Sequence, residues 1–166
     1  MDVTVARDLV ALARTHGTDK EENCRVYDGY LGKLRAEPIT LLEIGVGGDP
    51  KPGTGGASLR MWRDFFQQGH IHAIDINDKS SHAESRVHIY QGSQNDEAFL
   101  KTVAQKIGDI DVIIDDGSHF SSHIIKSFET LFPFLAKGGL YIVEDIGTFY
   151  WRSSKEVEIL MLRQLQ

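Results

Sequence analysis

The amino-acid sequence predicts an α/β protein built on a doubly wound, mostly parallel sheet. Three observations carry that expectation. Short apolar runs rich in β-branched residues recur at 39–44, 71–76, 87–90, 111–115 and 140–143. Segments with apolar residues at helical spacing separate them, on short connections. Several of the runs also end in glycine or acid, as strands do where their carboxyl ends open into ligand-binding loops.

In chain order, Val5, Leu9, Leu12 and Ala13 predict an amphipathic helix within residues 3–15, closed by Gly17 as its C-cap. Val26, Tyr27, Tyr30, Leu31 and Leu34 predict a second over 23–35. Pro38 resets the chain before the first strand, 39–44. A glycine- and proline-rich loop then runs to Gly56, and Met61, Trp62, Phe65 and Phe66 place the next helix face. Trp62 and its neighbours read as core rather than as a cofactor box. After the strands at 71–76 and 87–90, Phe99, Leu100, Val103 and Ile107 mark a helix over 96–107. The fourth strand, 111–115, is followed by a helix at about 121–132, and Lys137-Gly138-Gly139 turns into the fifth strand. Val157, Leu160, Met161 and Leu165 have helical spacing, so the last segment is expected to be helical, with little room for further strands.

The 166 residues suit one domain, with 1–37 a helical cover, 38–145 the core and 146–166 a C-terminal segment. Eighteen basic against 24 acidic side chains, a formal charge of −6, and no basic stripe argue against nucleic-acid binding. No apolar run approaches the ~20 residues that span a bilayer, so no membrane partner is expected. The single cysteine, Cys24, fits a reducing cytoplasm, and no secretory leader is visible at the N-terminus. A homo-oligomer is compatible with this composition.

The chemistry gathers at Asp111–His119, Asp-Val-Ile-Ile-Asp-Asp-Gly-Ser-His. A buried strand here delivers Asp115, Asp116 and His119 to its carboxyl end, and the following strand ends in Glu144-Asp145. Two neighbouring strands ending in paired carboxylates form a candidate divalent-metal site with a histidine at hand as a base. Adjacent residues at a strand end face opposite ways, so Asp115 is expected to be a cofactor-side or supporting group rather than a ligand. The bland alternatives are turn chemistry for Asp116-Gly117-Ser118 and solvated strand ends for the second pair. His119 and His123, four apart, raise a zinc reading, but the glutamate of a metalloprotease motif is missing between them. On the first strand, Glu43-Ile44-Gly45-Val46-Gly47 brings glycines that let a ligand lie against the backbone. Asp75 ends the second strand, where an acid can hold ribose hydroxyls. No tight Gly-x-Gly-x-x-Gly enters the helix directly, which weighs against a nicotinamide cofactor.

Glu-x-Gly-x-Gly after strand one and an acid after strand two resemble the class I S-adenosylmethionine-dependent methyltransferases, whose fold is Rossmann-like. Residues 16–20 (His-Gly-Thr-Asp-Lys), 41–47, 56–62, 115–119 and 143–145 (Val-Glu-Asp) are similar to the magnesium-dependent sugar O-methyltransferases, over roughly residues 7–150. Members act on macrolide deoxysugars and on mycobacterial saccharides. The resemblance implies S-adenosylmethionine and Mg²⁺ as cofactors and a sugar or glycoside as acceptor. It implies Asp116, Glu144 and Asp145 as metal ligands and His119 as general base. It also implies Thr18, Glu43, Gly45 and Asp75 in the cofactor pocket. Where the family has Gly-Asp-Gln at the adenine, this chain has Gly92-Ser93-Gln94, so Ser93 and Gln94 stand at that contact without the acid. The C-terminal part is shorter than in the macrolide enzymes. Mg²⁺ suits the oxygen donors, and no cysteine cluster competes for zinc. Specificity is expected in the 49–56 loop and after residue 146, where Tyr150-Trp151 reads as a sugar-stacking wall or a hydrophobic plug. The rival readings are a nicotinamide-dependent oxidoreductase and a non-catalytic, methyltransferase-like subunit.

Overall fold

The computed structural model describes residues 8–51, 53–146 and 159–164. In chain order the elements are α1 (Leu9–His16), α2 (Cys24–Leu31), β1 (Thr40–Ile44), α3 (Ala57–Phe65), β2 (His70–Asp75) and β3 (Val87–Gln91). They continue with α4 (Glu97–Ile107), β4 (Ile110–Asp115), α5 (Ser121–Leu131), β5 (Leu135–Glu144) and β6 (Ile159–Arg163). The six strands form one sheet in the order β3-β2-β1-β4-β5-β6. All neighbours are parallel except β5 and β6. Strand order reverses between β1 and β4, and in open α/β sheets the crevice at such a switch point is where ligands bind.

Side-chain alternation sorts the core into two layers. Leu41, Ile71, Ala73, Val112, Ile114 and Ile142 pack against α1, α2 and α3. Leu42, Ile44, Ile74, Ile113, Tyr141 and Val143 pack against the α4 and α5 side. Strands covered on both faces show no polar alternation, which is why they read as continuous apolar runs. Trp62 is fully buried beneath the first layer, with Tyr27 edge-on at 5.1 Å and Phe66 stacked at 6.1 Å. Local chemistry sets the helix ends. Asp8 accepts a hydrogen bond from the Ala11 amide at 2.6 Å, and Asp96 accepts from the Phe99 amide at 3.0 Å. Gly17, at φ 68°, closes α1 through bonds to the Ala13 and Arg14 carbonyls. Among the described residues no helix is long and apolar enough to cross a membrane.

One expectation is corrected. Residues 159–163, expected to be helical, form an antiparallel strand on the open edge of β5, with Tyr141 opposite Leu162 and Val143 opposite Leu160. Ile-Leu-Met-Leu is apolar throughout, so its period is ambiguous, and the unpaired edge of β5 decides the outcome by completing the backbone hydrogen bonds. Val157 and Leu165 lie outside the described residues. β5 also begins at Leu135 rather than after Gly139, because Leu135 already pairs with Ile110 of β4, ahead of a register shift.

At the other edge, His70, His72 and His88 stack across β2 and β3, with ring centroids 5.8 and 4.7 Å apart. Burial, with the neighbouring His88, His70 and Lys106, pushes the His72 imidazole down to about 4. An unfolded histidine takes up a proton near pH ~6.5, but folded His72 does so only near 4, so stability is lost as pH falls across that interval. Urea midpoints measured between pH 7.5 and 4.5 should fall, and His72→Gln should flatten the decline. A decline of equal slope in the variant would assign it elsewhere.

Candidate active site

At the carboxyl end of β1 the chain must turn sharply beneath β4. Gly45 has φ 96°, and a Cβ there would lie 2.2 Å from the Asp116 carbonyl oxygen. Only glycine lets the two strand ends approach so closely. Gly47, at φ 73°, would point its Cβ into open space. That space is a cavity of about 270 Å³, lined by Gly17, Thr18, Asp19 and Lys20 on one side and by Gly45–Gly48, Gly55, Ala57, Ser58 and Asp116 on the other. It lies just below the ~300–1,000 Å³ of small-molecule sites, and its glycine wall gives a ligand direct access to backbone amides. Thr18 caps the 3₁₀ turn that follows α1, accepting from the Lys20 amide at 3.4 Å.

Asp75, at the end of β2, accepts from the Val46 amide at 3.0 Å and from the Asn77 amide at 2.8 Å. It therefore stands against the same glycine loop, half-buried. Ser93 and Gln94 both make hydrogen bonds within the chain. Ser93 accepts from the Asn95 amide, and its carbonyl accepts from the Asp96 amide, both at 3.1 Å, shaping the entry to α4. Gln94 is buried. Its Nε2 donates to Asp115 at 3.1 Å and its Oε1 accepts from the Ser118 amide at 2.6 Å. Asp115 faces away from the cavity, toward α5, where it accepts from the Ser127 and Tyr141 hydroxyls. Burial raises its carboxyl pKa. Together Gln94 and Asp115 brace the turn that presents the two residues beyond it.

Those residues are Asp116 and His119. Asp116, His119 and Asp145 each offer a donor atom, all within 4.8 Å of one another. His119 Nε2 lies 4.0 Å from Asp145 Oδ2. His119 and Asp145 have φ of 59° and 57°, left-handed values that cost a non-glycine residue of order 1 kcal/mol or more. Backbone strain of this kind collects where side-chain direction matters. The zinc pairing is not formed: His123 lies in α5, with its Nδ1 2.8 Å from Ser118 Oγ. Oxygen donors suit Mg²⁺, which prefers them to imidazole, so the set fits that ion with Asp116 and Asp145 as ligands and His119 beside them.

Glu144 lies on the opposite face from Val143 and points under the N-terminal helices. Its carboxylate accepts from Lys20 Nζ at 2.6 Å, from Asn23 at 2.8 Å and from the Tyr27 hydroxyl. Lys20 also donates to Asp116 at 2.5 Å and lies 3.4 Å from Glu43. Glu43 is fully buried beside Ser58, which donates to it at 2.9 Å. Burial pushes the Glu43 carboxyl up to about 7 and Asp116 up to about 6, each against the pull of Lys20. Burial disfavours the Lys20 ammonium too, but Glu43, Asp116 and Glu144 outweigh it and hold its pKa above the ordinary lysine value. From the sequence alone, Asn23 and Lys20 have no role at the site, and Tyr27 stands only on the apolar face of the second helix. The His-Gly-Thr-Asp-Lys stretch that ends on Lys20 is a signal for that residue alone.

A switch-point cavity walled by glycines, an acid on β2 and an oxygen-rich centre on β4 and β5 define the class. The chain belongs to the methyltransferase-domain family, whose model matches residues 51–146. It is similar to the 8-demethyl-8-alpha-L-rhamnosyl tetracenomycin-C 2'-O-methyltransferase of Streptomyces olivaceus, 47% identical over 146 residues, covering 86% of this chain and 39% of that protein. It is similar also to the mycinamicin VI 2''-O-methyltransferase of Micromonospora griseorubida, 48% identical over 125 residues, covering 75% of this chain and 31% of that protein. Among solved structures it resembles the MycE methyltransferase of the mycinamycin biosynthetic pathway, in complex with Mg, SAH and mycinamycin VI. The TM-score is 0.83 at 44% identity, covering 87% of this chain and 38% of that one. The fold is thus that of the class I methyltransferases, and the chain spans well under half the length of these relatives.

If Asp75 holds ribose hydroxyls, Asp75→Ala should weaken binding of S-adenosylhomocysteine by about 1.5–3 kcal/mol, the worth of hydrogen bonds to a charged group. Calorimetric titration of the two proteins checks this, and unchanged affinity would take Asp75 out of the site.

Proposed function

We propose that the chain is a Mg²⁺-dependent, S-adenosylmethionine-dependent O-methyltransferase acting on a hydroxyl of a sugar or glycoside. The observation that carries this reading is the convergence of Asp116, His119 and Asp145 beside a cavity that Asp116 itself lines. The cofactor would lie against Gly45–Gly48, with Asp75 at its ribose, Thr18 toward its methionine end and Glu43 beneath the pocket, behind Ser58 and Lys20 of its lining. Asp116 and Asp145 would hold the metal. Glu144 would join them through the acceptor direction its three donors leave on Oε2. Bound there, Mg²⁺ supplies Lewis-acid polarisation of the acceptor oxygen. His119 takes the hydroxyl proton, and the glycine loop holds the methyl donor in line, so that proximity contributes much of the rate. The chain acts as one methyltransferase unit in the cytoplasm, with α1, α2 and the turn between them as cover over the site.

Family membership and the inserted loop at 49–56 favour this reading over a nicotinamide-dependent enzyme. Mass spectrometry of a sugar-acceptor panel incubated with methyl-labelled cofactor and Mg²⁺ tests it, and a methylated sugar is the expected product. Cofactor binding without turnover on any acceptor would favour a non-catalytic subunit. Stabilisation by NADH in place of S-adenosylhomocysteine would overturn the methyltransferase reading.

A further inference from the structure

We propose that Lys20 is a positioning residue that couples the cofactor cavity to the metal centre; the proposal rests on the function given above. Lys20 is 2% exposed, yet its backbone belongs to the segment that lines the cavity. Its ammonium reaches three carboxylates from three strand ends: Glu43 on β1, Asp116 beyond β4 and Glu144 on β5. Asn23 and Tyr27, on the same stretch of chain, hold Glu144 as well. The 18–23 segment can thus dock in only one way that satisfies all three acids, since an acid left without its cation in a buried site is costly.

That arrangement serves two ligands. A molecule in the cavity presses on Thr18, Asp19 and Lys20, and a metal ion draws on Asp116, whose carboxylate Lys20 orients. Whichever binds first orders the segment for the other, and linkage requires the effect to be reciprocal. Removing the ammonium keeps the carboxylates that would hold the metal and the glycine wall of the cavity, but cuts the connection between them.

The experiment uses the full chain and reads binding alone. S-adenosylhomocysteine is titrated calorimetrically with and without Mg²⁺, in wild type, Lys20→Met and Tyr27→Phe. Tyr27→Phe also loosens Glu144 but keeps the ammonium, so it controls for a loss of stability. In wild type Mg²⁺ should tighten binding ~5-fold or more, the lower bound for typical coupling between sites. In Lys20→Met the ratio should fall to near one, and in Tyr27→Phe it should persist. Where Lys20→Met does not fold, Lys20→Gln is read by the same criteria. A wild-type ratio of one, an undiminished ratio without the lysine, or equal loss in Tyr27→Phe would each overturn the role of Lys20. Failure of the wild type to bind S-adenosylhomocysteine at all would instead overturn the proposed function.

Discussion

Replacement of His119 by alanine is expected to lower the maximal rate of methyl transfer by ~10²–10⁴-fold, the usual contribution of a general base. Cofactor affinity should hardly change, because His119 does not line the cavity. Metal affinity should hold too, because Asp116 and Asp145 keep their oxygens and Mg²⁺ favours oxygen over imidazole. A rate lost at constant binding is the signature of an interaction made only in the transition state. Alanine is uncomfortable at the φ of 59° that His119 adopts. His119→Asn, which tolerates that conformation and cannot act as the base, should therefore show the same loss. Steady-state kinetics and Mg²⁺ titration of both variants decide the matter. If Mg²⁺ affinity fell with the rate, His119 would be a ligand and the base would lie elsewhere.

Removal of the metal should have an effect of similar size. Excess chelator is expected to abolish turnover, and Mg²⁺ to restore it. Asp116→Asn keeps the shape of the side chain but takes away its charge, both from the metal centre and from Lys20 at 2.5 Å. The Mg²⁺ concentration for half-maximal rate should rise by at least ~10–100-fold, the range found when a group that only supports a metal ligand is lost. Full activity in chelator would leave these acids with a structural role.

The sheet from β1 to β5 was legible because strands buried on both faces leave apolar runs that turn residues punctuate. β6 was not, since four consecutive apolar residues suit either period and the decision lay with a strand edge elsewhere in the chain. Asp116, His119 and Asp145 were legible as a group because each sits at or just past a strand's carboxyl end. The directions of Asp115 and Glu144 required the alternation of each strand to be fixed against a particular layer of helices. Lys20 was least legible. Its partners Asp116 and Glu144 lie 96 and 124 residues away, and nothing in a polar turn announces which distant acids it will meet. Tyr150 and Trp151 lie outside the described residues.

The cluster around Lys20 also bears on which cations the site can accept. Three carboxylates surround one ammonium, so with every acid ionised the cluster is short by two positive charges. Asp145 adds a further carboxylate at the metal centre, so a divalent ion offsets most of the negative charge in one binding event, whereas a sodium ion leaves more of it in surroundings that solvate charge poorly. Valence, more than ionic radius, would then set the threshold for occupancy. At matched ionic strength, sodium should fail to replace magnesium.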